Sequence, residues 1–188
     1  CFMTGRDPVI HGIKELNLID FLFNLPKEET KNIFIKGIRK KFKGLISSSN
    51  YQNDLVPFNV YRDRKILLNK TATLKISHGK QIPQTIKITP QFVKLLGYYV
   101  AEGFVNKQGI HFSLGAHETD FIKDVVDYAK KVFGLKAVVN KPHKTARHIS
   151  IYNQLLARLF TQLVKAGKCS YEKRVPSLIF NLQKNLQL

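Results

Sequence analysis

Residues 95–103, Leu-Leu-Gly-Tyr-Tyr-Val-Ala-Glu-Gly, constrain this chain more than any other stretch. Just ahead of them, Thr89-Pro90 reads as a helix start: a hydroxyl able to cap free backbone N–H groups, then a ring whose fixed φ suits the first helical position. The spacing predicts a helix over 89–103, stopped by Gly103. Gly97 and Ala101 lie one turn apart, so one stripe of that helix carries almost no side-chain bulk. Glu102 falls at the C-terminal end, where the helix dipole disfavours an anion by about 0.3–1 kcal/mol. A bound cation would reverse that sign, which makes Glu102 a candidate metal ligand.

The partner class follows from charge. The 188-residue chain has a formal net charge of +18, well beyond what solubility requires. Lys and Arg that neutralise phosphates release condensed counterions, so nucleic acid is the leading expectation. A membrane partner is not expected, because the charge is dispersed and no long apolar run exists to anchor or span. Hydrophobic residues make up 44%, enough to build a core in one ordinary domain or two small ones. Cys1 and Cys169 are far apart and have neither metal-ligand nor disulfide spacing, which fits a reducing, intracellular setting. Cys169 is expected to be small packing, at least half-buried. No signal peptide is apparent, and an opening on Cys1 suggests a piece of a longer reading frame.

Residues 12–24 carry Ile13, Leu16, Ile19, Leu22 and Phe23 at helical spacing. A second amphipathic helix is expected over 28–45, with Ile33, Phe34, Ile38 and Phe42 on one side and Lys36, Arg39, Lys40, Lys41 and Lys43 elsewhere. Residues 51–88 read as short strands and loops, with Val56, Phe58 and Val60 alternating as in a strand. Beyond the 89–103 helix, Ile110, Phe112 and Leu114 alternate with His111 and Ser113, a half-buried strand. A helix over 119–133 is ended by Gly134, and strands over 136–141 and 147–152 flank a Pro142-His143-Lys144 turn. Asn153 caps a last helix that Gly167 ends. The order implies an α+β domain with helices on one face of a small antiparallel sheet, over 85–188, behind a basic N-terminal α/β segment over 1–84.

On these residues the chain resembles the LAGLIDADG homing endonucleases of the dodecapeptide type found in inteins. Leu95–Gly103 matches their motif, with Gly97, Ala101 and Gly103 in place and Glu102 at the position of the functional acid. Ser170-Tyr171-Glu172-Lys173-Arg174-Val175-Pro176 resembles the Lys-x-Ile-Pro block, and Ile86-Lys87-Ile88-Thr89-Pro90 the lead-in to the motif. The resemblance implies a LAGLIDADG fold with a saddle-shaped sheet and a site-specific double-stranded DNA endonuclease using Mg²⁺ or Mn²⁺. It makes Glu102 the metal-binding acid and Lys173 a second catalytic residue. Gly97 and Ala101 would let two motif helices approach closely. His111, Ser113, Asn140, His148 and Ser150 would face the major groove, and Lys107, Lys141, Lys144 and Arg147 would meet phosphates at strand ends and turns.

The chain departs from the family by showing one motif and so one acid. The other acid would come from a second copy or from a second half, and residues 181–188 look like the lead-in to such a half. Cys1 is a candidate splicing nucleophile, but neither a Thr-x-x-His block nor a His-Asn junction is apparent. The alternatives are a DNA-binding module of the same fold that does not cleave, and a fragment of a splicing intein. Tyr98 and Tyr99 are expected to pack rather than catalyse. His117, His143 and His148 lack metal-ligand spacing.

Overall fold

The structure, a computed structural model, describes residues 13–64, 68, 71–77 and 79–182. The candidate nucleophile Cys1, and residues 183–188 of the expected second lead-in, lie outside the described residues. The chain divides into two compact units, one running from Asn17 to Ile86 and the other made chiefly of Lys87 onward.

The first unit corrects two helical expectations. In place of one helix over 12–24 there is a strand, β1 (Glu15–Asn17), and a short helix, α1 (Leu18–Phe23), whose first turn is capped by the Asn17 side chain accepting from Ile19 N. The expected helix over 28–45 is a short helix α2 (Lys27–Thr30), a strand β2 (Ile33–Lys36) and a 3₁₀ turn over Arg39–Phe42. Ile33 and Ile35 are both buried, a period of two that a helix cannot satisfy. Gly37 then takes φ +95°, and its N–H and that of Arg39 donate to the Asp54 carboxylate. The basic residues expected on one helix are therefore split between a strand and a turn. Arg39 is held by Asp54 and by the Tyr51 ring, 5.5 Å from its guanidinium.

Among the described residues of 48–87 there are helices as well as strands: α3 (Ser48–Gln52), β3 (Leu55–Pro57), α4 (Phe58–Arg64), β4 (Thr73–Ile76), β5 (Ile82–Pro83) and β6 (Thr85–Lys87). The alternation expected through Val60 lasts only to Pro57, where the chain turns helical. The antiparallel order is β3-β2-β4-β5, and β6 pairs with β1. Ile35, Phe42, Val56, Phe58 and Leu74 are fully buried in this unit.

The second unit is α+β with a four-stranded antiparallel sheet. Helix α5 (Pro90–Glu102) begins as expected, with the Thr89 hydroxyl accepting from Phe92 N. Strand β7 (Gly103–Asn106) follows without a loop and pairs with the next strand, beyond the alternation read over 110–114. Then come β8 (Gly109–Gly115), α6 (Thr119–Phe133), β9 (Val138–His143) and β10 (Ala146–Tyr152). Gly134 ends α6 in the left-handed region at φ +69°. Pro142 and His143 belong to β9, so the turn between β9 and β10 is two residues shorter at its start than expected. Asn153 caps α7 (Gln154–Arg158) by accepting from Leu155 N and Leu156 N, and a π-helical turn over Leu159–Leu163 continues it. A last short helix, α8, spans Ser177–Phe180.

Sheet order β7-β8-β10-β9 and its register place Ile110, Phe112, Ile149 and Ile151 on one face, all fully buried. Helices cover that face. Tyr99 of α5 meets Phe112 and Phe160 edge-on, and Phe133 of α6 meets Phe92 and Phe160. Each buried aromatic ring of this kind removes about 150–250 Å² from water, so the cluster is a large share of the apolar surface the unit buries.

Candidate active site and nucleic-acid interface

The carboxylate is placed by the tight passage from α5 into β7. A Cβ on Gly103 would lie 2.5 Å from Tyr99 Cδ2 and 2.7 Å from Tyr99 O, so only glycine lets the strand leave the helix at this angle. Glu102, the last helical residue, is therefore held at the corner, solvent-exposed, with no hydrogen bond or ion pair to the described residues.

Lys173 is brought to the same corner. Its ammonium donates to the Ala101 carbonyl at 3.0 Å, supplying a cation to the negative end of α5. The loop that carries it is pinned at several points. The Tyr99 hydroxyl donates to Gly167 O at 2.6 Å, Val105 N to Lys168 O at 2.9 Å, and Lys168 N to the Glu172 carboxylate at 3.1 Å. Arg174 Nε donates to Lys165 O at 3.0 Å. Burial raises the Tyr99 pKa far above the ordinary phenol range, so its hydroxyl is a permanent donor here. Tyr98 lies on another side of the helix. Its hydroxyl donates to Asp124 at 2.8 Å, and burial followed by that bond pushes its pKa to about 12. Both tyrosines pack and donate, and neither is a base at neutral pH.

Gly97 and Ala101 are exposed on the bare side of α5, and a Cβ on Gly97 would meet nothing within 4 Å. They line an open groove of about 470 Å³ with Val93, Val100, Val175 and Ile179, among others. An unneeded mid-helix glycine costs about 1 kcal/mol relative to alanine.

The sheet face away from the helices was expected to expose His111, Ser113, Asn140, His148 and Ser150. Register puts all five on that face, since His111 opposes Ser150 and His148 opposes both Ser113 and Asn140. Ser113 and Asn140 are exposed. His111 and Ser150, at 4% and 2% exposure, are not. Alternation gave the side correctly, but the neighbours are large: Phe104 stacks on His111 at 5.0 Å, and His148 and Tyr152 close around it at 5.9 Å. His111 Nδ1 pairs with Ser150 Oγ at 3.0 Å, while its Nε2 and that of His148 are buried without a partner. Burial, and then the neighbouring His148, lower the His111 pKa.

Basic residues lie at the sheet's ends. Lys107 is exposed in the β7–β8 turn, and Lys141 and Lys144 are exposed at the β9–β10 end. Arg147 departs from the expectation of a free phosphate contact: its guanidinium folds back onto the carbonyls of His143, Lys144 and Ala146 and fastens the turn. Cys169 is exposed rather than half-buried, because it sits in the outer loop before Lys173. Sequence reasoning missed Phe104 and Tyr152. Alternation back from His111 across the β7–β8 hairpin, and forward from Ser150, would have found them.

Among the described residues no group of three His, Cys, Asp or Glu side chains gathers as a metal cage. Glu102 nevertheless suits Mg²⁺, which usually keeps several waters and takes one or two carboxylates together with substrate phosphates. Among the described residues no helix is long and apolar enough to cross a membrane.

No protein-family model matches the chain. It is 28% identical over 174 residues, 88% of its length, to an uncharacterised protein of Methanocaldococcus jannaschii. It is 23% identical over 185 residues to the DNA polymerase II large subunit of Thermococcus kodakarensis. It is 29% identical over 127 residues to transcription initiation factor IIB of Methanocaldococcus jannaschii. The chain spans 18%, 10% and 18% of these relatives, respectively. Its relatives therefore include proteins named for DNA synthesis and for transcription initiation, each much longer than the matched segment.

Proposed function

We propose that the second unit is a LAGLIDADG-type homing endonuclease domain, part of an intein, that hydrolyses phosphodiester bonds of a specific double-stranded DNA site. The observation that carries this reading is that Lys173 is fastened to the Ala101 carbonyl, next in the chain to Glu102 at the helix end, beside a sheet whose basic residues stand at its rims. The intein context is supported by the relatives. One segment that matches a small part of both a polymerase and a transcription factor is what an element inserted into unrelated hosts would leave.

In this reading the sheet binds across the major groove, and Lys107, Lys141 and Lys144 hold the backbone to either side. Glu102 would hold a divalent cation beside the scissile phosphate, its carboxylate serving as a ligand. Mg²⁺ bound there would lower the pKa of water and stabilise charge on the phosphoryl oxygens. Lys173, already held at the Ala101 carbonyl, stabilises the added negative charge of the transition state. The bare stripe at Gly97 and Ala101 receives a second motif helix carrying the other acid, which justifies the glycine.

A non-cleaving DNA-binding module is the second reading, favoured by the one motif, and so the one motif acid, in the sequence given. Incubation of the chain with a randomised duplex library separates the two. The nuclease gives products with Mg²⁺ and none with EDTA, whereas the binding module retains duplexes under both conditions without cutting.

A further inference from the structure

The outer face of the β7-β8-β10-β9 sheet is rimmed with charge but neutral across its middle. Its cross-strand rows are Asn106–Gly109–Tyr152, Phe104–His111–Ser150–Val138 and Ser113–His148–Asn140, with Gly115–Ala146–His143 beyond a register shift at the turn end. None of these residues is Lys, Arg, Asp or Glu. Tyr152 and Val138 stand out at 45% and 41% exposure, and Phe104 is half-buried on β7, the edge strand opposite Val138. Solvated apolar side chains on a sheet flanked by lysines are an unfavourable surface for a free protein, and they point to an apolar partner group.

The hydrogen-bonding inventory of the face is narrow. The Nε2 atoms of His111 and His148 are buried and reach no partner. Asn106 is engaged in its own turn, accepting from Gln108 N and Gly109 N. That leaves Ser113, the Asn140 amide, the Asn106 amide N–H₂ at the hairpin end and the Tyr152 hydroxyl to project outward, all of them uncharged. In the major groove guanine is read by Arg or Lys and cytosine by a carboxylate, and the face has none of these. An amide pairs with the adenine edge, and apolar side chains meet the C5-methyl group of thymine.

Resting on the reading that this face lies against double-stranded DNA, we infer that it selects an A·T-rich major groove. Tyr152, Val138 and Phe104 contact thymine methyl groups, and Asn140 reads adenine. The lysines at the rims supply affinity that does not depend on sequence.

The test uses the full chain and a randomised duplex pool. The bound fraction is sequenced, and affinity is then measured for a selected duplex and for the same duplex with deoxyuridine in place of thymidine. That exchange removes only the major-groove methyl and leaves the minor groove intact. The expected result is enrichment of A·T pairs and binding weakened about fivefold or more by deoxyuridine. Val138→Ala with Tyr152→Ala should erase the difference between the two duplexes while leaving the salt dependence unchanged, and Asn140→Ala should relax the preference for adenine. All three side chains are solvent-exposed, so folding should survive these substitutions. Selection of G·C-rich sequences, or equal affinity for thymidine and deoxyuridine duplexes, overturns the inference and leaves DNA binding standing. Absence of duplex binding even at low salt overturns both.

Discussion

Lys173 donates its ammonium to the Ala101 carbonyl at 3.0 Å, one residue before the Glu102 carboxylate. Seventy-two residues of chain separate the partners. The contact depends on α5 and on the loop fastened by Tyr99, Glu172 and Arg174. If the ammonium serves charge development and not only the helix end, Lys173→Met should lower the cleavage rate by about 10²–10³, the scale of losing one electrostatic stabiliser. Circular dichroism should remain unchanged. A melting transition shifted strongly downward with little loss of rate would make the lysine a helix cap alone.

Tyr99 joins that loop to the core. Tyr99→Phe keeps the ring against Phe112 and Phe160 but leaves the Gly167 carbonyl without its donor. The expected cost is about 1–3 kcal/mol in urea denaturation. Cleavage should fall as well, because the loop bearing Lys173 loses its tether.

Gly97 should show opposed effects on stability and function. Gly97→Leu adds a side chain where nothing lies within 4 Å and replaces a poor helix former by a good one. The isolated chain should gain about 0.5–1 kcal/mol. Pairing of motif helices, read by sedimentation at increasing concentration or with a supplied second half, should be lost. A loss of stability in the unpaired chain would mean that the groove beside α5 is occupied in some other way.

His111 makes stability depend on pH. Its folded-state pKa is lowered, first by burial and then by His148, so below the ordinary histidine value near 6.5 the unfolded chain binds more protons than the folded one. The stabilisation is fully present above that pH and declines as pH falls through it. Denaturant midpoints should begin to drop as pH falls below about 6.5, before the carboxylates protonate. His111→Gln should flatten that slope, whereas an unchanged slope would assign it to other groups.

How much of this was legible in the sequence depended on whether a local signal had one interpretation. Thr89-Pro90 and the spacing to Gly103 left no alternative to α5, and the apolar stripe with Gly134 fixed α6. Over 28–45, Ile33, Phe34, Ile38 and Phe42 fit a helix, but Ile35 did not. The sheet formed by β2 with β3 and β4, which buries Ile35, pairs Ile35 with Val56 and Leu74, far along the chain. At the site, chain order located Glu102 and the Lys173 block. The burial of His111 under Phe104, and the folding of Arg147 onto its own turn, depend on cross-strand and turn geometry that spacing does not encode.

The central claim is that Glu102 holds the metal at which DNA is cut. The most direct measurement is the cleavage rate of a selected duplex at saturating Mg²⁺, for the chain and for Glu102→Gln at matched DNA affinity. The account predicts that Glu102→Gln abolishes cutting at the strand it serves while leaving DNA affinity within about twofold, since an exposed, unpaired carboxylate contributes little to binding. Cutting that continues at the original rate in Glu102→Gln would contradict it.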